Sequence, residues 1–238
     1  MKIHLLGVNG PFPESGGATS GYLLEHRDTL IQFDFGSGIL GRLTAKAAPE
    51  SLQAIFLSHW HFDHMADLPV LMYRLQSSGT VLPVFAPEDR SSPLFQLISS
   101  APNFRLTLLK PGDELSFGDL SVHVGSARHP VPAVGFRISG PGGDWGYTGD
   151  TNTHPDLCGF YRGVRLLIAD GPFLSDSWDE NKPHLSGALA ASLARDAGCD
   201  QLILSHLSPV VPSEALLREA RTVFRQVSLA RAGDVLSL

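Results

Sequence analysis

Three histidines and an aspartate crowd into six positions of this chain: His59, His61, Asp63 and His64, in the run Ser58-His59-Trp60-His61-Phe62-Asp63-His64. The run follows directly on an apolar stretch, Leu52 to Leu57, that reads as a buried strand. Imidazole and carboxylate donors suit zinc and other borderline divalent ions. In extended backbone, residues i and i+2 point the same way, so His59 and His61 can share one metal ion. Beyond them Met65 to Leu75 carries apolar residues at helical spacing. A turn into that helix lets Asp63 and His64 face a second ion. A polar loop that collected histidines by chance would not gather four such donors at the mouth of a strand.

The rest of the chain supplies many strands and several helices. Lys2 to Val8 alternates loosely. Tyr22 to Glu25 and Thr29 to Phe35 flank the turn residues His26-Arg27-Asp28 as a hairpin. Leu82 to Ala86, Phe104 to Leu109 and Leu120 to Val124 are strand-like, with a helix near Ser92 to Ser99. Val134 to Ile138 and Trp145 to Thr148 flank Ser-Gly-Pro-Gly-Gly-Asp, a hairpin signal. Pro155 to Tyr161 suits a short helix. Leu166 to Ala169 and Gln201 to Leu204 are buried strands, and Leu185 to Ala197 is an Ala-rich helix closed by Gly198. Ser213 to Gln226 is a helix with Ser213 as its N-cap, and Val235 to Leu238 closes the chain. With 238 residues, 24 glycines, 17 prolines and no linker-like stretch, the expectation is one α/β domain over 1–238. Two sheets packed face to face with helices outside account for the elements.

Charge narrows the partners. The net charge is −6, only four lysines occur, and no basic run is present, so a long polyanion is not the favoured ligand. A small anionic substrate fits, because metal ions supply a local positive field. Cys158 and Cys199 lie outside any C-x-x-C pattern and are expected as reduced thiols. The opening Met-Lys-Ile-His-Leu-Leu reads as a strand, too short in its apolar part for a signal peptide. No apolar run reaches membrane-spanning length. A cytoplasmic protein with no membrane partner is expected.

With its H-x-H-x-D-H pattern after a strand, the chain resembles the metallo-β-lactamase fold superfamily over nearly its whole length. That resemblance implies a four-layer αββα sandwich. It also implies that His129, in Arg128-His129-Pro130, joins His59 and His61 at one metal. His206, in Leu204-Ser205-His206, then joins Asp63 and His64 at the other, and Asp150, in Thr148-Gly149-Asp150, bridges the two. Two zinc ions are implied, with manganese or iron as alternatives, and Asp63 counts among the catalytic groups. True β-lactamases of this fold generally carry Cys where this chain has Asp150, which turns the expectation away from lactams.

Within the superfamily the segments Leu166 to Phe173 and Pro183 to Pro209 are most similar to ribonuclease Z and its small phosphodiesterase relatives. Ribonuclease Z has a Glu in the first segment; here Asp170 stands there, and His184 is its partner. The implied mechanism pairs this acid with this imidazole while a metal-bridging hydroxide attacks phosphorus. Departures matter too. Ribonuclease Z usually inserts a long tRNA-gripping arm between the third His and the bridging Asp, whereas one hairpin separates His129 from Asp150 here. The expected substrate is therefore a small or cyclic nucleotide-type phosphodiester. The alternatives are tRNA 3′ processing, a glyoxalase II-like thioesterase, and a metal-binding sensor without turnover. Monomer and homodimer are both open.

Other residues carry less. His4, His26 and His123 are expected to be structural, and His154 belongs to a turn near the site. Asp67 falls in the first turn of the helix after the motif. Trp60, Phe62 and Trp178 could stack on a base, although core packing is the commoner fate of such rings. The loop Ser15 to Ser20 offers backbone amides to a phosphate.

Overall fold

Strand β1 (Lys2–Gly7) runs antiparallel to β2 (Gly21–His26), which turns through Arg27 and Asp28 into β3 (Thr29–Phe33). Arg27 takes φ 53°, the left-handed conformation a two-residue reversal needs. The computed structural model describes all residues, 1–238. They form two units: Met1–Leu109 with Arg231–Ser237, and Lys110–Ala230 with Leu238.

In the first unit β3 is followed by β4 (Ala54–Phe56), β5 (Leu82–Pro87) and β6 (Phe104–Leu109), all parallel to one another. The C-terminal strand Val235–Ser237 returns to pair with β1, closing a seven-stranded sheet. Parallel neighbours need crossovers. These are α1 (Ile39–Thr44), the pair α2 (Phe62–Met65) and α3 (Leu68–Ser78), and α4 (Pro93–Ser100). Leu68, Leu71 and Leu75 of α3 and Ile39 and Leu43 of α1 bury against Leu23, Ile55, Leu57 and Val84 of the sheet. Each such leucine contributes roughly 1.5–3 kcal/mol by leaving water. Phe33, Phe56 and Phe85 stack across β3, β4 and β5, with ring centroids 5.4 and 4.8 Å apart.

Two local expectations change here. The helical stretch from Met65 is two helices, because Ala66 and Asp67 separate α2 from α3. Pro69 lies in the first turn of α3, where its missing N–H costs nothing. Asp67 occupies the N-cap position, yet its carboxylate accepts from Leu40 N at 2.8 Å and so ties α1 to the start of α3. Helix α1 itself was not foreseen: it has six residues, Gly41 in its middle and only Ile39 and Leu43 buried.

The second unit repeats the plan of an antiparallel part followed by a parallel part. Strands β7 (Glu114–Phe117), β8 (Leu120–Ser126), β9 (Val134–Ser139) and β10 (Trp145–Tyr147) form an antiparallel meander. Then β10, β11 (Leu166–Asp170), β12 (Gln201–Ser205) and β13 (Val227–Leu229) run parallel. The β9–β10 turn uses Gly142 and Gly143 at φ 108° and 111°, as the Gly-rich signal required. The helices are α5 (Leu157–Phe160), α6 (Gly187–Ala197) and α7 (Ser213–Val223). Helix α6 starts at Gly187 because Ser186 caps it, its hydroxyl accepting from Leu189 N, and Gly198 closes it at φ 70°. Ser213 is not the cap of α7: Pro212 holds that position, and Ser213 is the first helical residue. That helix stops at Val223 because the next residues extend into β13, an edge strand of three residues too short to announce itself. No helix is long and apolar enough to cross a membrane.

Candidate metal centre

In the first unit the ligand run begins where β4 ends. His61 is still extended, with φ −68° and ψ 150°, and α2 starts at the next residue. His59 Nε2 and His61 Nδ1 come within 2.9 Å, as the i, i+2 spacing predicts. The first turn of α2 then brings Asp63 and His64 to the same place. His64 Nε2 lies 3.5 Å from Asp63 Oδ2, and the His59 and His64 rings are 4.2 Å apart.

A residue that the sequence reading did not single out organises this cluster. Asp34, fully buried just beyond β3, accepts from Ser58 N at 2.7 Å and Ser58 Oγ at 2.9 Å. Its Oδ2 also lies 2.7 Å from His64 Nδ1. A proton on Nδ1 donated to this carboxylate leaves the His64 Nε2 lone pair facing Asp63, the orientation a metal ligand needs. Ser58 Oγ, 3.0 Å from His59 Nδ1, can do the same for His59. The neighbouring Gly36 is required sterically: a Cβ there would stand 2.1 Å from Asp63 O and 2.2 Å from Thr19 Oγ1. The signal was a carboxylate and a glycine, Asp34-Phe35-Gly36, directly after a buried strand.

Three amides of the loop Ser15 to Ser20 are engaged by backbone carbonyls of the same unit. Gly17 N donates to Glu14 O, Thr19 N to Ser37 O and Ser20 N to Asp63 O. The loop buttresses the ligand turn. Trp60 is core: its Nε1 donates to Pro87 O and its ring meets Phe95 edge-on. Phe62 stands exposed.

In the second unit the C-terminal ends of the parallel strands converge. Asp150 follows β10, Asp170 ends β11 and His206 follows β12. Asp150 lies 3.3 Å from His206 Nδ1 and 3.7 Å from His184 Nδ1. His184 Nδ1 is 2.8 Å from Asp170 Oδ2, which also accepts from Thr151 N. Donor atoms of Asp150, Asp170, His184 and His206 all lie within 4.8 Å of one another. Burial holds the Asp170 carboxyl above the usual carboxylate range; His184 pulls it down and the Asp150 charge pushes it further up. His129 joins this group, its Nδ1 at 3.1 Å from Pro183 O and its ring 5.5 Å from that of His184. An Nδ1–H given to that carbonyl leaves the Nε2 lone pair available to a cation. His154, which the sequence put in a turn, is pushed below the ordinary imidazole range by burial and by Arg128, with Asp156 opposing.

Both clusters fit a divalent cation on the chemistry of their donors. Each is built from imidazole and carboxylate alone, and both are largely buried. In the first, a buried carboxylate orients an imidazole from behind, as metal-binding histidines require. A cation would also offset the cost of burying Asp150 beside Asp170.

The model of the β-lactamase superfamily domain matches residues 31–207 of this chain. The chain belongs to the metallo-β-lactamase superfamily, a family of metallo-hydrolases. It is 30% identical to the probable metallo-hydrolase YhfI of Bacillus subtilis, over 99% of both chains. The crystal structure of that metallo-β-lactamase fold protein superposes with a TM-score of 0.93, over 99% of this chain and 98% of the other. A ribonuclease Z of Methanopyrus kandleri is 28% identical over 98% of this chain and 96% of its own. The mixed α/β fold with two sheets expected from the succession of strands and helices is the fold observed. The superfamily's sequence signature covers the run His59 to His64, whereas Asp34 and Ser58, which orient its rings, fall outside that pattern.

Proposed function

We propose that this chain is a dinuclear metal-dependent phosphodiesterase acting on small or cyclic nucleotide-type phosphodiesters. The ligands are those implied by the resemblance: His59, His61, Asp63, His64, His129, Asp150 and His206. The ions are two zinc per chain, with manganese or iron as the alternatives to be tested. Bound there, the metal ions supply a nucleophile at neutral pH and neutralise charge that develops on the phosphoryl oxygens.

The observation that carries the reading is the His184–Asp170 pair. Their 2.8 Å contact fixes the imidazole by its Nδ1 and leaves Nε2 to carry the proton for the leaving oxygen. In that step the water oxygen bonds to phosphorus and gives up a proton, which restores the charged imidazole after turnover, and the P–O bond to the leaving group breaks. The leaving oxygen takes the His184 Nε2 proton. Asp170 stabilises the charged imidazole and keeps its tautomer. Thioester or lactam cleavage has no evident use for this pair. The free thiols of Cys158 and Cys199 accord with a cytoplasmic setting.

A second reading, tRNA 3′ processing, is favoured by the ribonuclease Z relative. Against it stand the net charge of −6 and the five residues, 140–144, that join β9 to β10 where an RNA-gripping arm would insert. Both readings are tested together. Purified protein with measured zinc or manganese content is offered bis-p-nitrophenyl phosphate, 2′,3′- and 3′,5′-cyclic nucleotides, a pre-tRNA and a thioester. Turnover of the small phosphodiesters above that of pre-tRNA is expected. Two bound ions per chain and no phosphodiester cleavage would overturn the proposal.

A further inference from the structure

Glu180 to His184 is a turn without regular secondary structure, yet its backbone is held from several sides within the second unit. The Glu180 carbonyl accepts from Arg128 Nη2 at 2.9 Å and from Asn152 Nδ2 at 3.3 Å. The Lys182 carbonyl accepts from the same Asn152 Nδ2 at 2.6 Å. The Pro183 carbonyl meets His129 Nδ1, and the His184 carbonyl accepts from Trp178 Nε1 at 2.9 Å. Asn152 is the hub of this strap. It is fully buried, its backbone N donates to Arg128 O, and its Oδ1 accepts from Thr153 N. It also lies two residues after Asp150, so the side chain that grips the turn grows from the segment that carries the central carboxylate.

We propose that Asn152 is a positioning residue for His184, setting where the imidazole stands relative to the reacting phosphodiester. This inference rests on the phosphodiesterase reading, with His184 as proton donor. The His184–Asp170 contact fixes how the ring is rotated. It does not fix the backbone from which the ring projects, and that is what the strap does. Proton donors must be held within about 0.5 Å of productive geometry, and a shift of about 1 Å can cost on the order of 100-fold in rate. A single amide hydrogen-bonding to two carbonyls on one turn is a device for that precision. An aspartate in its place has the same shape and no donor, and it would point a carboxylate oxygen at both carbonyls.

The role predicts a dependence on the leaving group. A p-nitrophenolate leaves without much help from an acid, whereas the ribose alkoxide of a cyclic nucleotide needs the proton. The test compares full-length, metal-loaded wild type with Asn152→Asp on bis-p-nitrophenyl phosphate and on the cyclic nucleotide that the wild type turns over fastest. For the cyclic nucleotide, kcat is expected to fall about 10- to 100-fold with KM within about threefold. For the nitrophenyl ester the loss is expected to stay under about fivefold, with metal content unchanged. In a His184→Ala background, Asn152→Asp is expected to cost less than about twofold, because the residue it positions is gone. Equal losses on both substrates, or a full additional loss in the His184→Ala background, would overturn the role. If Asn152→Asp fails to fold, Trp178→Phe removes the donor to the His184 carbonyl and keeps an aromatic ring, smaller than the indole, at a half-buried position. The same selective loss, smaller in size, is expected there; no loss, or an equal loss on both esters, overturns the proposal. A wild type that cleaves neither ester with both ions bound fails at the functional reading. A wild type that cleaves both, with variants that do not discriminate, fails at this inference alone.

Discussion

Asp34→Asn is the most informative single change in the first unit. The amide keeps the volume, and asparagine tolerates the φ of 52° that Asp34 adopts, so the backbone has no reason to move. The change acts on hydrogen bonding. Asp34 Oδ2 takes both Ser58 Oγ and His64 Nδ1, and an amide nitrogen at that place would set a donor against a donor. Either His64 flips its proton to Nε2 and loses its metal-facing lone pair, or the amide turns and gives up Ser58 N. Loss of such an orienting partner typically costs 10- to 100-fold in metal affinity, about 1.4–2.7 kcal/mol. Competition with a chromogenic chelator at fixed pH reads this directly, as the number and affinity of tightly held ions per chain. Thermal melts with and without zinc give a second reading, since stabilisation by a ligand grows with ligand concentration over Kd. The weaker ion in the variant is expected to raise the melting temperature less than in wild type. Unchanged affinity with a lowered metal-free melting temperature would refute the reasoning, because Asp34 would then serve folding without orienting His64.

His184→Ala is expected to keep its metal content, measured by elemental analysis, and to lose about 10²- to 10⁴-fold in turnover of alkoxide esters; loss of metal instead would make His184 a ligand. Gly36→Ala forces a Cβ to within 2.1 Å of Asp63 O and should cost at least ~3 kcal/mol, a fall of at least ~6 °C in melting temperature. A fall of a degree or two would show that the ligand turn yields easily. Burial pushes the Cys199 thiol up to about 12, with Cys158 and Asp200 adding to the rise. A raised thiol pKa leaves the thiolate scarce below it, about one part in 10⁴ at pH 8. Ellman's reagent at pH 8 should therefore leave Cys199 unmodified in the native protein, and rapid loss of both thiols would contradict its burial.

What was legible in the sequence was whatever is encoded within a few residues. The run His59 to His64 showed its own chemistry because an extended strand end followed by one helical turn converts spacing into geometry. The hairpins showed themselves through turn residues such as Gly142 and Gly143, whose φ values few other residues adopt. Asp34 stayed hidden because its partners Ser58 and His64 lie 24 and 30 residues away. Only the parallel pairing of β3 with β4 brings them together. Asn152 was missed for the same reason, as its partners on the Glu180 turn are 28 and 30 residues on. The short elements α1, β7 and β13 were missed because tertiary pairing, rather than local propensity, holds them.

The backbone marks the same places. Only three non-glycine residues adopt positive φ: Arg27, Asp34 and His206. Arg27 serves a hairpin turn, but the other two sit just past the ends of parallel strands, β3 and β12, at φ 52° and 56°. A left-handed residue costs on the order of 1 kcal/mol, less for aspartate and asparagine, whose short polar side chains tolerate it, and nothing for glycine. Glycine at either position would remove that cost and with it the side chain. In each unit, then, the backbone takes a left-handed turn at a strand end where a carboxylate or an imidazole leaves the sheet and turns into the candidate ligand cluster. His206→Gly should therefore melt no lower than His206→Ala in the metal-free protein while losing the same metal. If instead the glycine variant is the less stable of the two, the left-handed turn at His206 is not strained, and its geometry follows from the loop alone.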